Sequence, residues 1–124
     1  MPDDTRRQLG AAGEQLAANH LSHRGFQILE RNFRTRWGEL DLIATDGRVL
    51  VFCEVKTRIA RDTQRDPLES VHPRKQMKVR KMAGQWLAER SRRPRAPDLR
   101  FDAIGITLDP GGRLLRLDHL EGCF

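Results

Sequence analysis

Two runs with the character of β-strands, Glu39–Thr45 and Arg48–Thr57, are separated only by Asp46-Gly47. Asp-Gly between alternating apolar residues predicts a hairpin, because both positions of a two-residue turn need positive φ. The second run holds Leu50, Val51, Phe52, Cys53 and Val55, apolar on both faces, so it belongs at the centre of a sheet. With a two-residue loop, Thr45 pairs with Arg48, Asp41 falls opposite Phe52, and Glu39 falls opposite Glu54. Alternation then puts Glu39, Asp41, Glu54 and Lys56 on one face.

Carboxylates gathered on a sheet repel one another. In this register Asp41 and Glu54 are diagonal neighbours, about 7–8 Å apart at the backbone, close enough for both side chains to reach one ion. A hard divalent cation relieves the repulsion, and Mg²⁺ is commonly held by one or two carboxylates plus water. Lys56 brings a compact positive charge to the same face, suited to orienting a nucleophilic water or to stabilising charge at phosphorus. Two acids, a lysine and a metal are what in-line attack on a phosphodiester needs. The plain alternative is a solvated Glu-Val-Lys with an ordinary ion pair. The apolar flanks argue against it, since an unpaired Glu-Lys in a buried strand is costly.

The rest of the chain supplies layers for this hairpin. Leu9, Ala12, Leu16, Ala17 and Leu21 recur at helical spacing within Thr5–Arg24, and Gly25 stands where a helix-ending glycine belongs. Phe26–Leu29 reads as a short strand, followed by a polar, basic connection over Arg31–Trp37. Ile59–His72 has no period and reads as an exposed loop. Pro73 suits the first turn of a second helix, whose apolar stripe is Val79, Met82, Ala83, Trp86 and Leu87; Trp86 on that stripe is a core residue. Arg92–Pro97 breaks the pattern. Leu99–Leu108 and Leu114–Leu117 give two more strands about a Pro110-Gly111-Gly112 turn. The order is helix, three strands, helix, two strands, in one domain spanning 1–124.

The 23 Lys and Arg against 17 Asp and Glu leave a net charge of +6 and a pI near 10.3, which favours a polyanionic partner. Arg74, Lys75, Lys78, Arg80 and Lys81 crowd the first half of the second helix, against its dipole, and phosphate contact would compensate. Arg31, Arg34, Arg36 and Arg58 belong near the Asp41 end of the hairpin, with Trp37 among them. Cys53 and Cys123 form neither a disulfide framework nor a metal pair, a usage that fits a reducing cytoplasm. His20, His23, His72 and His119 lack metal-ligand spacing, and His20 reads as a packed helix residue. No apolar run is long enough to span a membrane and no signal segment is visible, so the expectation is a soluble, cytoplasmic protein.

Glu39-Leu-Asp41-Leu-Ile-Ala44, followed by Val51-Phe-Cys-Glu54-Val-Lys56-Thr-Arg58, resembles the PD-(D/E)xK core of restriction-endonuclease-like nucleases. The chain more closely resembles the YraN-type family of small bacterial proteins, relatives of archaeal Holliday-junction resolvases. The likeness runs through Gly13-Glu14, Arg31-Asn32, Gly38–Asp41, Glu54–Arg58, Pro73–Gln76 and Arg100-Phe101-Asp102. It implies an α/β restriction-endonuclease-like fold, a mixed sheet flanked by helices. Asp41 and Glu54 would be metal ligands for Mg²⁺ or Mn²⁺, Lys56 would assist the attacking water, and Glu39 would stand in support. Leu40 replaces the proline of the superfamily name, and His72 makes a weak cap before Pro73. Glu14 lies roughly 20° outside the apolar arc of its helix; the resemblance implies that it joins the metal site, where periodicity alone allows a solvated glutamate.

Three functions follow from these residues. The first is a metal-dependent nuclease on DNA, with branched or structured substrates implied by the resolvase likeness, and with Arg34, Arg36, Arg58, Arg74, Lys75 and Lys78 contacting nucleic acid. The second is a non-cleaving nucleic-acid-binding module on the same fold, and the third a basic protein-interaction subunit. Retention of both acids and the lysine favours the first. A homodimer rests on the resolvase analogy alone.

Overall fold

The computed structural model describes residues 2–60, 73–90, 96 and 98–123, with side chains from Arg6 in the first helix and from Met77 in the second. Helix α1 covers Pro2–His23 and is followed by strands β1 (Gln27–Thr35), β2 (Gly38–Thr45) and β3 (Val49–Ile59). Helix α2 (Pro73–Ala88) precedes β4 (Asp98–Leu108) and β5 (Leu114–Leu120). All five strands form one sheet in sequential order, antiparallel except for the parallel β3–β4 pair. A parallel pair cannot be joined by a tight turn, and α2 lies in the connection. The expected α-β-β-β-α-β-β mixed sheet is therefore the fold. No described helix is long and apolar enough to cross a membrane.

The helices cover opposite faces. Ala17, Ala18 and Leu21 of α1 pack with Leu42, Ala44, Val51, Cys53, Ile104 and Ile106. Val79, Met82, Ala83 and Trp86 of α2 pack with Leu40, Ile43, Leu50, Phe52 and Phe101. Alternation along β3 divides Leu50 and Phe52 from Val51 and Cys53, and so builds both layers from one strand. Trp86 is a core residue as expected, its indole N–H donating to Glu30 at 2.8 Å. Gly25, at φ +89°, closes α1 in a Schellman arrangement: Phe26 N–H donates to the Leu21 carbonyl and Gly25 N–H to that of Ser22.

Two readings from sequence require correction. Arg31–Trp37 is not a connection, because β1 continues to Thr35 through a register irregularity between Ile28 and Glu30; pairing with β2 satisfies its backbone despite the charged side chains. The central hairpin does not turn in two residues either, since Thr45 pairs with Leu50. Asp46 accounts for the difference. Its Oδ1 accepts from both Arg48 N–H and Val49 N–H, at 2.8 and 2.9 Å, so the side chain closes the turn that a shorter backbone loop would have closed. The slip is two residues, so it preserves which face each residue takes. It also removes Glu39 from its expected place opposite Glu54. The expected exposed loop lies mostly within residues 61–72, outside the described residues, as does most of the Arg92–Pro97 break.

Candidate metal and nucleic-acid site

Helix α1 comes unusually close to β3. A Cβ built on Gly13 would lie 1.7 Å from Thr57 Oγ1, so only glycine fits there with Thr57 in place. The next residue, Glu14, is thereby brought to the sheet. Its carboxylate meets those of Glu39 and Asp41, one oxygen of each lying within 4.8 Å of the others. Arg31 fastens the same stretch of helix to β1 by donating to Gln15 Oε1 at 2.8 Å.

The facing of β1 and β2 changes where this group forms. Leu40 packs under α2 while Leu42 packs under α1, although two residues apart in a strand should share a face. Across the sheet, Arg31 bonds to Gln15 of α1 while Phe33 packs on the α2 side. Both strands break alternation at one level, between the pairs Arg31↔Leu42 and Phe33↔Leu40. Asn32 and Asp41 occupy that level. Asn32 has φ +53°, the one positive value among the described non-glycine residues.

Pairing between β2 and β3 ends at Leu42↔Cys53. In the gap beyond it, Asp41 Oδ2 accepts the backbone N–H of Val55 at 2.7 Å. Burial pushes the Asp41 carboxyl up to about 7 despite that hydrogen bond, helped by the charges of Glu14, Glu54 and Glu39. Glu14 is raised as well, by burial first and then by Glu39. Glu54 and Lys56 stand on the other side of the gap. Alternation from Phe52 gives them the α2 face, while Asp41, at the break in alternation, meets Glu14 of α1 and still feels the charge of Glu54. The pattern of apolar residues alone does not reveal that break. Lys56 Nζ lies 3.6 Å from Glu54 Oε1, and the Glu54 side chain is 12% exposed.

Of the expected basic contacts, Arg34 pairs with Glu39 at 3.5 Å on an exposed edge. Arg36 lies over the Trp37 ring at 4.6 Å, and Lys81 of α2 lies 5.8 Å from the same ring. Trp37 is half-buried and packs on the α2-side core. Lys78 is exposed on α2, Arg58 is half-buried on β3, and the side chains of Arg74 and Lys75 lie outside the described residues. Sequence reasoning named Asn32 within the family likeness but gave it no role, although asparagine is among the residues enriched at positive φ.

Asp102 likewise was named there without a role. This fully buried carboxylate accepts from Arg100 Nε and Nη2, each at 2.9 Å, from His119 Nε2 at 2.7 Å and from Gly122 N–H at 3.0 Å. His119 Nδ1 in turn faces His20 Nε2 at 2.9 Å, so His20 is a partnered helix residue. An aspartate inside the apolar run Phe101–Leu108 was the available signal.

A small mixed sheet between two helices, with acids converging where its second and third strands part, defines the class. Residues 13–106 match the model of the uncharacterised protein family UPF0102, and the chain belongs to that family. A UPF0102 protein of Frankia alni is 45% identical over 117 residues, covering 94% of this chain and 93% of its own. One from Mycobacterium tuberculosis H37Rv is 46% identical over 122 residues, covering 95% and 93%. One from a Parafrankia strain is 42% identical over 118 residues, covering 95% and 97%.

Proposed function

We propose that this protein is a divalent-metal-dependent nuclease acting on DNA. The observation that carries the reading is the convergence of the Glu14, Glu39 and Asp41 carboxylates within 4.8 Å, beside the Glu54–Lys56 pair. Three acids so close, one of them raised to about 7, form an arrangement that a cation would stabilise. The donors are all carboxylate oxygens, which suits Mg²⁺ or Mn²⁺ better than a softer metal. Asp41, Glu54 and Glu14 would hold the ion, with Glu39 beside them in support. Bound there, the ion supplies a more acidic water and charge neutralisation at phosphorus.

The chain's own residues do the remaining work. Lys56 stands at the gap between β2 and β3 and offers an ammonium to a phosphate oxygen or to the attacking water. Glu54 holds that ammonium in place. Arg36, Lys78 and Lys81 offer charge to the flanking backbone, which fits a basic chain meeting a polyanion.

The test is cleavage of linear, flapped and four-way DNA with Mg²⁺, with Mn²⁺ and with chelator. Metal-dependent cleavage of any of them is expected. A protein that binds these DNAs and leaves all of them intact with both metals is the non-cleaving module instead. One that binds none is an interaction subunit.

A further inference from the structure

Asn32 lies directly across β1–β2 from Asp41, at the level where both strands change face. With its amide oriented by its neighbours, Nδ2 lies 2.6 Å from Glu39 Oε1 and 3.0 and 3.2 Å from the two Glu14 oxygens. An NH₂ group has two hydrogens, so one amide serves two carboxylates from different elements, α1 and β2. The geometry points to Asn32 as the positioning residue of the metal site, a clamp that holds Glu14 and Glu39 at ligand spacing. This rests on the metal-site reading above and adds to it what brings the two acids together.

The backbone supports the assignment. At φ +53° most side chains are strained, whereas Asn is among the few that accept the left-handed region. Glycine would accept it more readily but has no donor. A carboxylate of the same shape would accept it too, yet would repel both partners. Asn combines the conformation with the donor. The neighbouring Arg31–Gln15 bond holds α1 to β1 but leaves Glu14 and Glu39 unbridged. Groups that orient ligands without touching the metal commonly change its affinity by about 10- to 100-fold.

Asn32→Gly keeps the backbone and removes only the amide, and is compared with wild type and Glu14→Gln. Each full-length protein is titrated with Mn²⁺ and the free ion read by electron paramagnetic resonance. Metal-free thermal melts accompany the titrations. The clamp predicts an Mn²⁺ affinity in Asn32→Gly about tenfold below wild type, with a melting temperature unchanged or higher. Unchanged affinity in Asn32→Gly, with Glu14→Gln weakened, overturns the clamp and leaves the metal site standing. A lower melting temperature matching the lost affinity makes Asn32 merely structural and also overturns it. Wild type that binds no Mn²⁺ overturns the metal site itself, and the clamp with it.

Discussion

The carboxylate of Asp41 accepts the backbone N–H of Val55 at 2.7 Å, just past the point where β2 stops pairing with β3. A side chain thus serves a β3 donor beyond the last β2–β3 pair, and a half-buried acid is fixed between two strands. Its cost is electrostatic. Asp41 titrates near 7 in the folded chain against an ordinary 3.8. Between those values the folded state binds more protons than the unfolded one, so stability falls as pH rises from about 4 to about 7. At about 1.4 kcal/mol per unit, the total reaches up to about 4 kcal/mol. Asp41→Asn is expected to flatten that slope and to raise metal-free stability at pH 8, measured by urea unfolding across pH. An unchanged slope in the variant would show that Asp41 is not the group responsible.

The approach of α1 gives a second prediction. A methyl group on Gly13 would collide with Thr57, whose Oγ1, Cβ and Cγ2 would lie 1.7, 2.8 and 2.9 Å away. Gly13→Ala is expected to cost about 1–3 kcal/mol, the usual range for overpacking, against a small gain in helix propensity. Adding Thr57→Ala removes two of the three colliding atoms and should recover part of the loss. Chemical denaturation of the two single variants and the double variant measures the coupling. Additive losses would mean that helix and strand do not meet there.

The network on Asp102 gives a third prediction. Burial raises its carboxyl, but the hydrogen bonds from His119, Arg100 and Gly122 outweigh it and leave the pKa below the usual carboxylate range. A depressed acid contributes stability above its unfolded pKa and loses it as pH falls through the folded value. Asp102→Asn is expected to cost about 2–3 kcal/mol, somewhat less than the 3–5 kcal/mol of a fully enclosed pair, since the Arg100 side chain is 26% exposed. The variant's loss should shrink as wild type approaches pH 3. A thermal melt series over pH 3–7 checks both statements.

These residues also show how far the sequence could be read. The element order, the central position of β3 and the burial of Trp86 were legible because periodicity and turn chemistry are local. Register was not, because the Asp46 carboxylate took the turn's backbone donors and lengthened the loop. The β1 segment over Arg31–Thr35 was misread because edge pairing satisfies a backbone whatever its side chains carry. Asp41, Glu54 and Lys56 were singled out by residue type and spacing. Their arrangement depended on a change of face at Asn32 and Asp41 that no alternating pattern encodes. Glu39 lost its expected place opposite Glu54 with the register and lies instead with Glu14 and Asp41.

The basic surface is testable apart from any chemistry. Lys78 and Lys81 are exposed on α2, and Lys81 approaches the Trp37 ring. If they contact phosphates, Lys78→Glu with Lys81→Glu should weaken DNA binding similarly for all sequences. The logarithmic salt slope should fall by about 1–2, near 0.9 per lost contact. Fluorescence anisotropy over a salt series measures both. Unchanged affinity and slope would return the two lysines to the role of a solvated face.

Glu54 and Lys56 separate cleavage from binding. Glu54→Gln keeps size and hydrogen bonding but removes a charge beside Asp41 and the partner of Lys56 Nζ. Metal-dependent cleavage is expected to fall by at least about 10²-fold, the scale of one lost electrostatic contact in a transition state. DNA affinity without metal should hold or rise, since a negative charge near the phosphates has gone. Lys56→Ala should slow cleavage similarly while changing Mn²⁺ affinity much less, because an ammonium acts on the developing charge and not as a ligand. The pair therefore distinguishes loss of the ion from loss of help to the reaction. Single-turnover rates read beside Mn²⁺ titrations decide it. Cleavage that persists at the wild-type rate in Glu54→Gln would place the reacting phosphate away from the gap between β2 and β3.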